Sequence, residues 1–589
     1  TFLKVHKSNR KKPSFRQTNF VDIKSELQNI DWGLELGRTN AQEAWSFFNN
    51  TMRKLIAQHV PFKNIKKNKS PCWFSNDIKV MLSRKKAAWK VYKATKASQD
   101  LETYKRLETN LKHAIKSSKA RYESKISHEV SSNPKQFYSY VSKKESSNIV
   151  SITEQGKSLT SDKDIAESLN NFFVSTFTEE NLSIFPALDD QGLANIVDIE
   201  INSELVLAKL RKIKESKSPG PDGLYPRLLK EVCNEIAEPL ACIFRKSLDE
   251  GLVVGDWKHA NITPLYKKGK HDLTASYRPI SLTSIPCKIL ESIIKDAVVD
   301  HLQTHDLLKT TQHGFQSGRS CLTNLLEYLE YITSQVDQSN PVDCIYLDFS
   351  KAFDKVPHQR LLAKMKQLGI DGKILDWIKD WLKGREQRVV LNGSYSQWQS
   401  VKSGVPQGSV LGPILFIIYV NDMDMFVSSH ISKFADDTKL YRKVCTDLDS
   451  VSLQNDLNNL VEWSKTWQMN FNASKCKVIH FGRNNERFDY NIDGVVLDKS
   501  DVERDLGVFV SEDLKPSKQV DQAVLKASRI LGMINRNMEN KSKDIMLPIY
   551  RTLVRPHLEY CIQAWSPYLV KDIIRLEKIQ KRAVRMIRA

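Results

Sequence analysis

Apolar positions along this chain change period several times, and each period predicts a different element. Over residues 162–178, Ile165, Leu169, Phe172 and Phe173 recur at helical spacing behind an Asp suited to capping, which predicts an amphipathic helix with a structural role. From 63 to 121 Gly and Pro are scarce, and Lys and Arg are interleaved with Trp73, Trp89, Tyr92, Tyr104 and Tyr122. A pair of basic helices is predicted there. Its aromatics fit either the seam of a helical hairpin or a nucleic-acid face, and its surplus lysines fit phosphate contacts. Gly220-Pro221-Asp222-Gly223 is a turn cluster, and the apolar rhythm that restarts behind it marks a domain entrance. Strand-like runs at 344–349 and 478–481, separated by helical patterns such as 358–368 and 453–467, make the middle of the chain α+β. The most apolar stretch, 414–420, falls well short of the ~20 residues that span a bilayer, and reads as a buried strand or helix segment. Residues 1–45 are polar, and their basic run Arg10-Lys11-Lys12 fits a solvated linker as well as a nuclear import signal.

Composition narrows the function classes. A chain of 589 residues is too long for one core and calls for three or four domains, while 41% apolar and 27% charged residues exclude global disorder. The net charge of +20 favours a polyanionic partner over a small neutral ligand. Nine cysteines without a C-x-x-C pair give neither a zinc ribbon nor a disulfide framework, and reduced, mostly buried thiols are expected. His557 and Cys561 have a zinc-like spacing without a partner pair. The start shows neither Met nor a signal-peptide core, so a fragment of a longer polypeptide is expected.

The sharpest chemical signal is a pair of segments, Tyr346-Leu-Asp-Phe-Ser-Lys-Ala-Phe-Asp354 and Lys433-Phe-Ala-Asp-Asp-Thr438, in which acids follow apolar residues. Side chains alternate across a strand, so Asp348 at one strand end and Asp436 or Asp437 in a turn between two others can converge. Converging carboxylates suit Mg²⁺, which takes oxygen ligands and is commonly held by one or two carboxylates plus substrate phosphates. One such Asp alone would more often cap a helix or close a turn. Two segments in this order shift the balance towards a metal site.

Further blocks follow the same chain order: Lys217-Ser-Pro-Gly-Pro-Asp-Gly223, Ile262-Thr-Pro-Leu-Tyr-Lys-Lys-Gly269, Ser276-Tyr-Arg-Pro-Ile-Ser-Leu282 and Gln312-His-Gly-Phe-Gln-Ser-Gly-Arg319. After Asp348 come Ser403-Gly-Val-Pro-Gln-Gly-Ser-Val-Leu-Gly-Pro413, Phe434-Ala-Asp-Asp437, Asn472-Ala-Ser-Lys475 and Asp505-Leu-Gly507. In this order the sequence resembles the reverse transcriptases of non-LTR (LINE-type) retrotransposons, closest to the jockey-like group, from about residue 210 to the end.

The resemblance implies an α+β right-hand polymerase with fingers, palm and thumb, an antiparallel palm sheet and a helical basic N-terminal extension. The boundaries read as a polar linker over 1–45, the extension over 46–190, fingers with the start of the palm over 191–340, palm over 341–510, and thumb with the start of a C-terminal region over 511–589. It implies two Mg²⁺ ions, with Mn²⁺ as a substitute, on Asp348, Asp436 and Asp437. Asp354 is a weaker candidate that suits a turn or cap. Lys267 or Lys268, with Arg278, would meet the triphosphate. Gly404, Gln407 and Gly408 would form a turn that lets backbone approach the nucleotide and templating base. Phe353 would sit beneath the sugar and exclude a 2′-hydroxyl. Lys475, or alternatively Lys477, would give a proton to pyrophosphate, and the basic end of the chain, with Arg575, Lys578, Lys581, Arg582, Arg585 and Arg588, would suit the template–primer backbone.

The implied partners are an RNA template, a DNA primer or target and deoxynucleoside triphosphates, with no membrane. The expected site of action is the nucleus, with a cytoplasmic ribonucleoprotein stage. The endonuclease that complete members carry is not recognisable in these residues. Competing readings are a group II intron-type maturase, an RNA-dependent RNA polymerase, for which a smaller or polar residue would be expected instead of Phe353, and a domesticated or decayed RNA-binding copy. All three Asp positions are intact, which argues against decay.

Overall fold

The computed structural model describes residues 11–64, 71–141, 149–154, 156–186 and 192–587. Arg10, at the head of the expected import signal, and the terminal cation Arg588 lie outside them. The chain divides into two compact units, Thr1–Ile65 with Asn148–Ser500, and Lys66–Ser147 with Asp501–Ala589. Among the described residues no helix is long and apolar enough to cross a membrane.

In the first unit, the expectation of a polar linker over 1–45 is corrected. Phe20–Gln28, Trp32–Gly37 and Ala41–His59 are helices capped by the side chains of Asn19, Asp31 and Asn40. Ile23, Leu27 and Leu36 are buried in one core with Trp45 and Phe48. The polar residues that give the segment the look of a tether are caps and outward faces, and Ile23 and Leu27, one turn apart, supply the buried stripe. The segment 414–420 falls in the helix Gly412–Tyr419, whose residues are buried all round and whose first turn carries Pro413. The helix predicted over 162–178 spans Asp162–Val174.

This unit carries two five-stranded sheets. Their longer strands are β1 (His259–Tyr266), β2 (Tyr277–Leu282), β3 (Val342–Leu347), β4 (Glu386–Leu391), β5 (His430–Phe434), β6 (Asp437–Lys443) and β7 (Lys477–Phe481). One sheet runs Gln399–Ser400, β4, β1, β2, with Ser394–Tyr395 also on β4; β1 pairs antiparallel with β2 and parallel with β4. The other runs β5, β6, β3, β7, Asp498–Lys499, and is antiparallel except at that last short strand. The architecture is therefore mixed α/β. The strand predicted at 344–349 is β3, which stops one residue before Asp348.

In the second unit, the predicted basic pair is Asn76–Thr95 and Ser98–Glu129. Trp89 lies 4.8 Å from Tyr104 and 5.5 Å from Tyr92 between ring centroids, so these aromatics form the seam of a helical hairpin. Ile126, Val130 and Phe137 share a core with Leu531, Ile534, Ile545, Ile549 and Ile579. Buried Glu123 accepts the backbone N–H groups of Glu539 (3.1 Å) and Asn540 (2.8 Å) and the Tyr140 hydroxyl (2.9 Å). The boundaries of a single extension over 46–190 and a separate segment from 511 are corrected accordingly: 66–147 packs with 501–589, and the rest of 46–190 belongs to the other unit. Periodicity marks a face that must be buried without naming what buries it.

Candidate active site

The β3–β6 register positions the acids. Leu347 pairs with Thr438 and Tyr346 with Lys439, so one more step sets Asp348 against Asp437. β5 and β6 close on a two-residue turn, Ala435-Asp436, in which Ala435 takes φ 56°, the positive first position of a tight hairpin turn. The Gln312-His-Gly block buttresses that turn. Gln312 Oε1 accepts the N–H groups of Ala435 (2.9 Å) and Gly314 (2.7 Å). A Cβ on Gly314 would lie 2.5 Å from the Ala435 nitrogen, so only glycine lets the two backbones meet. Downstream of β3, the Asp348 carbonyl accepts the Asn472 N–H at 2.8 Å, which fixes the strand end beside Ala473–Lys475.

Charge then gathers around these acids. Lys475 Nζ donates to Asp348 Oδ1 at 3.1 Å, with both side chains open to solvent. Lys477, the alternative, pairs instead with Asp498. Burial holds the Asp436 carboxyl above the ordinary carboxylate range and the Asp348 charge adds to this, while hydrogen bonding to its own backbone N–H, Arg278 and Lys267 oppose it. Burial, with the charges of Arg278 and Lys475, lowers the Lys267 ammonium, and Asp348 opposes that shift. Alternation separates the two candidate lysines. Leu265 pairs with Arg278, and the Lys267 N–H continues the ladder to the Ser276 carbonyl, so Lys267 leaves on the side of Arg278 and Lys268 on the other.

The donor set around Asp348 is made of carboxylates, which suits hard divalent cations, and a cation would offset both the burial and the Asp348 charge that raise Asp436. Among the described residues no three His, Cys, Asp or Glu side chains form a ready metal cage. Ions held here would therefore need phosphate oxygens or water to complete their shells.

The remaining candidates form a second cluster. Phe353 stacks on Phe416 at 4.5 Å and meets Phe315 edge-on at 6.5 Å. Asp354, read from sequence as a turn or cap residue, accepts from Gln407 Nε2 at 2.9 Å, and burial raises its carboxyl. Gly404 and Gly408 take φ of 85° and 115°, and a Cβ on either would come within 2.7 Å of backbone oxygen, that of Asp354 or Ser281. The glycines thus serve the close packing of chain on chain. Sequence reasoning missed the Asp354–Gln407 bond and the Gln312 brace, since nothing in either block marks a partner far along the chain.

Residues 266–521 match the reverse transcriptase (RNA-dependent DNA polymerase) family. That match, with the relatives that follow, is consistent with a reverse transcriptase of the non-LTR, LINE type. The chain is 27% identical over 383 residues to the probable RNA-directed DNA polymerase from transposon X-element of Drosophila melanogaster, covering 63% of this chain and 42% of that protein. It is 27% identical over 403 residues to the probable RNA-directed DNA polymerase from transposon BS of the same species, covering 66% and 44%. To the RNA-directed DNA polymerase from mobile element jockey of Drosophila funebris it is 28% identical over 415 residues, covering 67% and 44%. The chain thus spans less than half the length of these curated relatives. Reverse transcriptases generally use divalent metal ions.

Proposed function

We propose that the chain is an RNA-directed DNA polymerase that extends a DNA 3′-hydroxyl on an RNA template, using deoxynucleoside triphosphates to copy an element's RNA at a nicked target in the nucleus, after a cytoplasmic ribonucleoprotein stage. The observation that carries this reading is the register that sets Asp348 against Asp437, with Asp436 on the adjoining turn and the charges of Lys267 and Arg278 upon it. Asp348, Asp436 and Asp437 would hold two Mg²⁺ ions, for which Mn²⁺ could substitute. When bound, the ions stabilise negative charge on the attacking and leaving oxygens of an in-line displacement.

The chain's own residues do the rest. Arg278 grips two phosphate oxygens and Lys267 acts as a point charge beside it. Phe353, backed by Phe416, fills the space that a 2′-hydroxyl would need. Gln407, fixed by Asp354, lies at the turn over the nucleotide. As the 3′-hydroxyl loses its proton to solvent water, its oxygen bonds to the α-phosphorus and the bond to pyrophosphate breaks, Lys475 supplying a proton to the leaving oxygen.

The test is primer extension on an RNA template in Mg²⁺ with the Asp436→Asn variant. Extension is expected to fall by about 10³-fold or more, as for loss of a group that stabilises transition-state charge, while RNA affinity is retained. Extension at the wild-type rate overturns the assignment.

A further inference from the structure

The helix Asp162–Val174 runs into a polar segment that faces an open groove. Phe172, Thr176, Thr178, Lys351, Lys355 and Lys465 are among the residues that line it. Among the described residues no acidic side chain lines it. Lys465 is already answered by Glu462 at 3.0 Å and Asp493 at 2.7 Å. Lys351 and Lys355 form no ion pair among the described residues, and the nearest acid in sequence, Asp354, is engaged by Gln407.

Lys351 is held rather than dangling. Its backbone is left-handed, with φ 54°, an uncommon conformation for a residue with a side chain. Its ammonium lies 3.9 Å from the centroid of the Phe172 ring, a contact that positions the charge and leaves its outward N–H donors free. Burial pulls its pKa down to about 8 although part of the side chain meets solvent, with the Asp354 charge opposing and those of Lys355 and Lys475 adding. Burial likewise lowers Lys355. Two cations partly withdrawn from water, without ion-pair partners, carry a desolvation cost that a bound anion would offset. Lys475, which feels Lys351, is the residue that pairs with Asp348, so the groove adjoins the acids of the site.

We propose that this groove is a holding site for inorganic pyrophosphate, the product of each nucleotide addition, outside the reacting centre. The proposal rests on the polymerase reading for its choice of ligand. The cations converge on one concavity instead of following a track, which suits a compact polyanion better than a strand that spreads its charges about 3.4 Å apart. The Thr178 hydroxyl and the ammonium groups of Lys351 and Lys355 supply donors without a paired carboxylate, while Lys465 shares its charge with Glu462 and Asp493.

The experiment titrates inorganic pyrophosphate into the full chain by calorimetry, without divalent metal, nucleotide or nucleic acid. The K351Q/K355Q variant is expected to bind about tenfold more weakly or worse, and K351R/K355R to stay within a few-fold of wild type, because the arginines keep the charge. In primer extension, inhibition by added pyrophosphate should weaken in parallel, with template–primer affinity within about twofold. Equal pyrophosphate binding by wild type and the glutamine variant overturns the site, as does a parallel loss of template–primer affinity, which would make the groove a strand track. Because the titration needs no catalysis, loss of pyrophosphate binding in a chain that extends no primer would keep the anion site and refute the polymerase reading.

Discussion

Asp343 and Asp348 lie on and just beyond the same strand, five residues apart, and alternation sends them to opposite faces of the sheet. Asp343 is fully buried, and fixed groups satisfy both of its oxygens. His480 Nδ1 and Asn485 Nδ2 each lie 2.7 Å from Oδ1, and the Tyr490 hydroxyl donates to Oδ2 at 2.7 Å. Burial, then the Asp343 charge, pushes the Tyr490 phenol far up and keeps it a donor. Asp348 is 44% exposed, and its carboxylate accepts from one solvent-open lysine, Lys475. A carboxylate that holds a fold is surrounded by donors that cannot leave, whereas one that serves chemistry keeps a partner that can be exchanged.

That contrast predicts a double dissociation, the largest effect expected here. Asp348→Asn should reduce Mg²⁺-dependent extension by about 10³-fold or more with almost no change in the urea midpoint, since its ion pair is surface-exposed. Asp343→Asn should destabilise the fold by about 3 kcal/mol, because an amide turns an N–H towards donors that a carboxylate accepted, while activity per folded molecule persists. Urea unfolding and active-site-normalised extension on both variants check this. A stability loss at Asp348 matching that at Asp343 would erase the contrast.

The exchangeable partner itself gives the next effect. Lys475→Ala should lower kcat by about 10²-fold, the scale of a lost general acid, with KM for the nucleotide little changed. Its effect on stability should stay below about 1 kcal/mol. Single-turnover extension separates the two constants, and a raised KM with intact kcat would make Lys475 a binding residue instead.

Both sides of this comparison were unequally legible in the sequence. Asp348 and the Asp436-Asp437 turn stand out because acids placed directly after apolar strands are conspicuous, and β3 ends where that pattern stops. Asp343 is two residues into the same run and carries no signal, since its partners His480, Asn485 and Tyr490 lie more than a hundred positions away. The same limit explains the helices within 1–45: caps and outward faces dominate their composition, and the few apolar residues that are buried become telling only when the core that receives them is known. The basic hairpin was legible as helices, but its companion segment was not, because a buried stripe such as Ile126, Val130 and Phe137 specifies burial and leaves the choice of partner to packing. Lys267 was inseparable from Lys268 until the strand pairing fixed which side chain shares a face with Arg278.

The smallest effect concerns the groove beside Asp348, where Lys351 and Lys355 form no ion pair among the described residues. Burial pulls the Lys351 ammonium below the ordinary lysine range, to about 8, so it is charged under neutral conditions and loses its charge as pH rises through that value. The groups that act on it are Asp354, which favours the charged form, and Lys355 and Lys475, which disfavour it; Lys465 lines the same groove and stays charged, its pKa raised by Asp493 and Glu462. Metal-free pyrophosphate affinity should therefore fall several-fold between about pH 7 and pH 9 in the wild type, while K351R, whose guanidinium stays protonated, should lose less over the same range. Taking the ratio of the two affinities at each pH cancels the titration of pyrophosphate itself and leaves the contribution of Lys351. A ratio that does not move with pH would mean that Lys351 keeps its charge throughout, and the groove would then resemble the Asp343 pocket, fixed in its ionisation, instead of the exchangeable surroundings of Asp348.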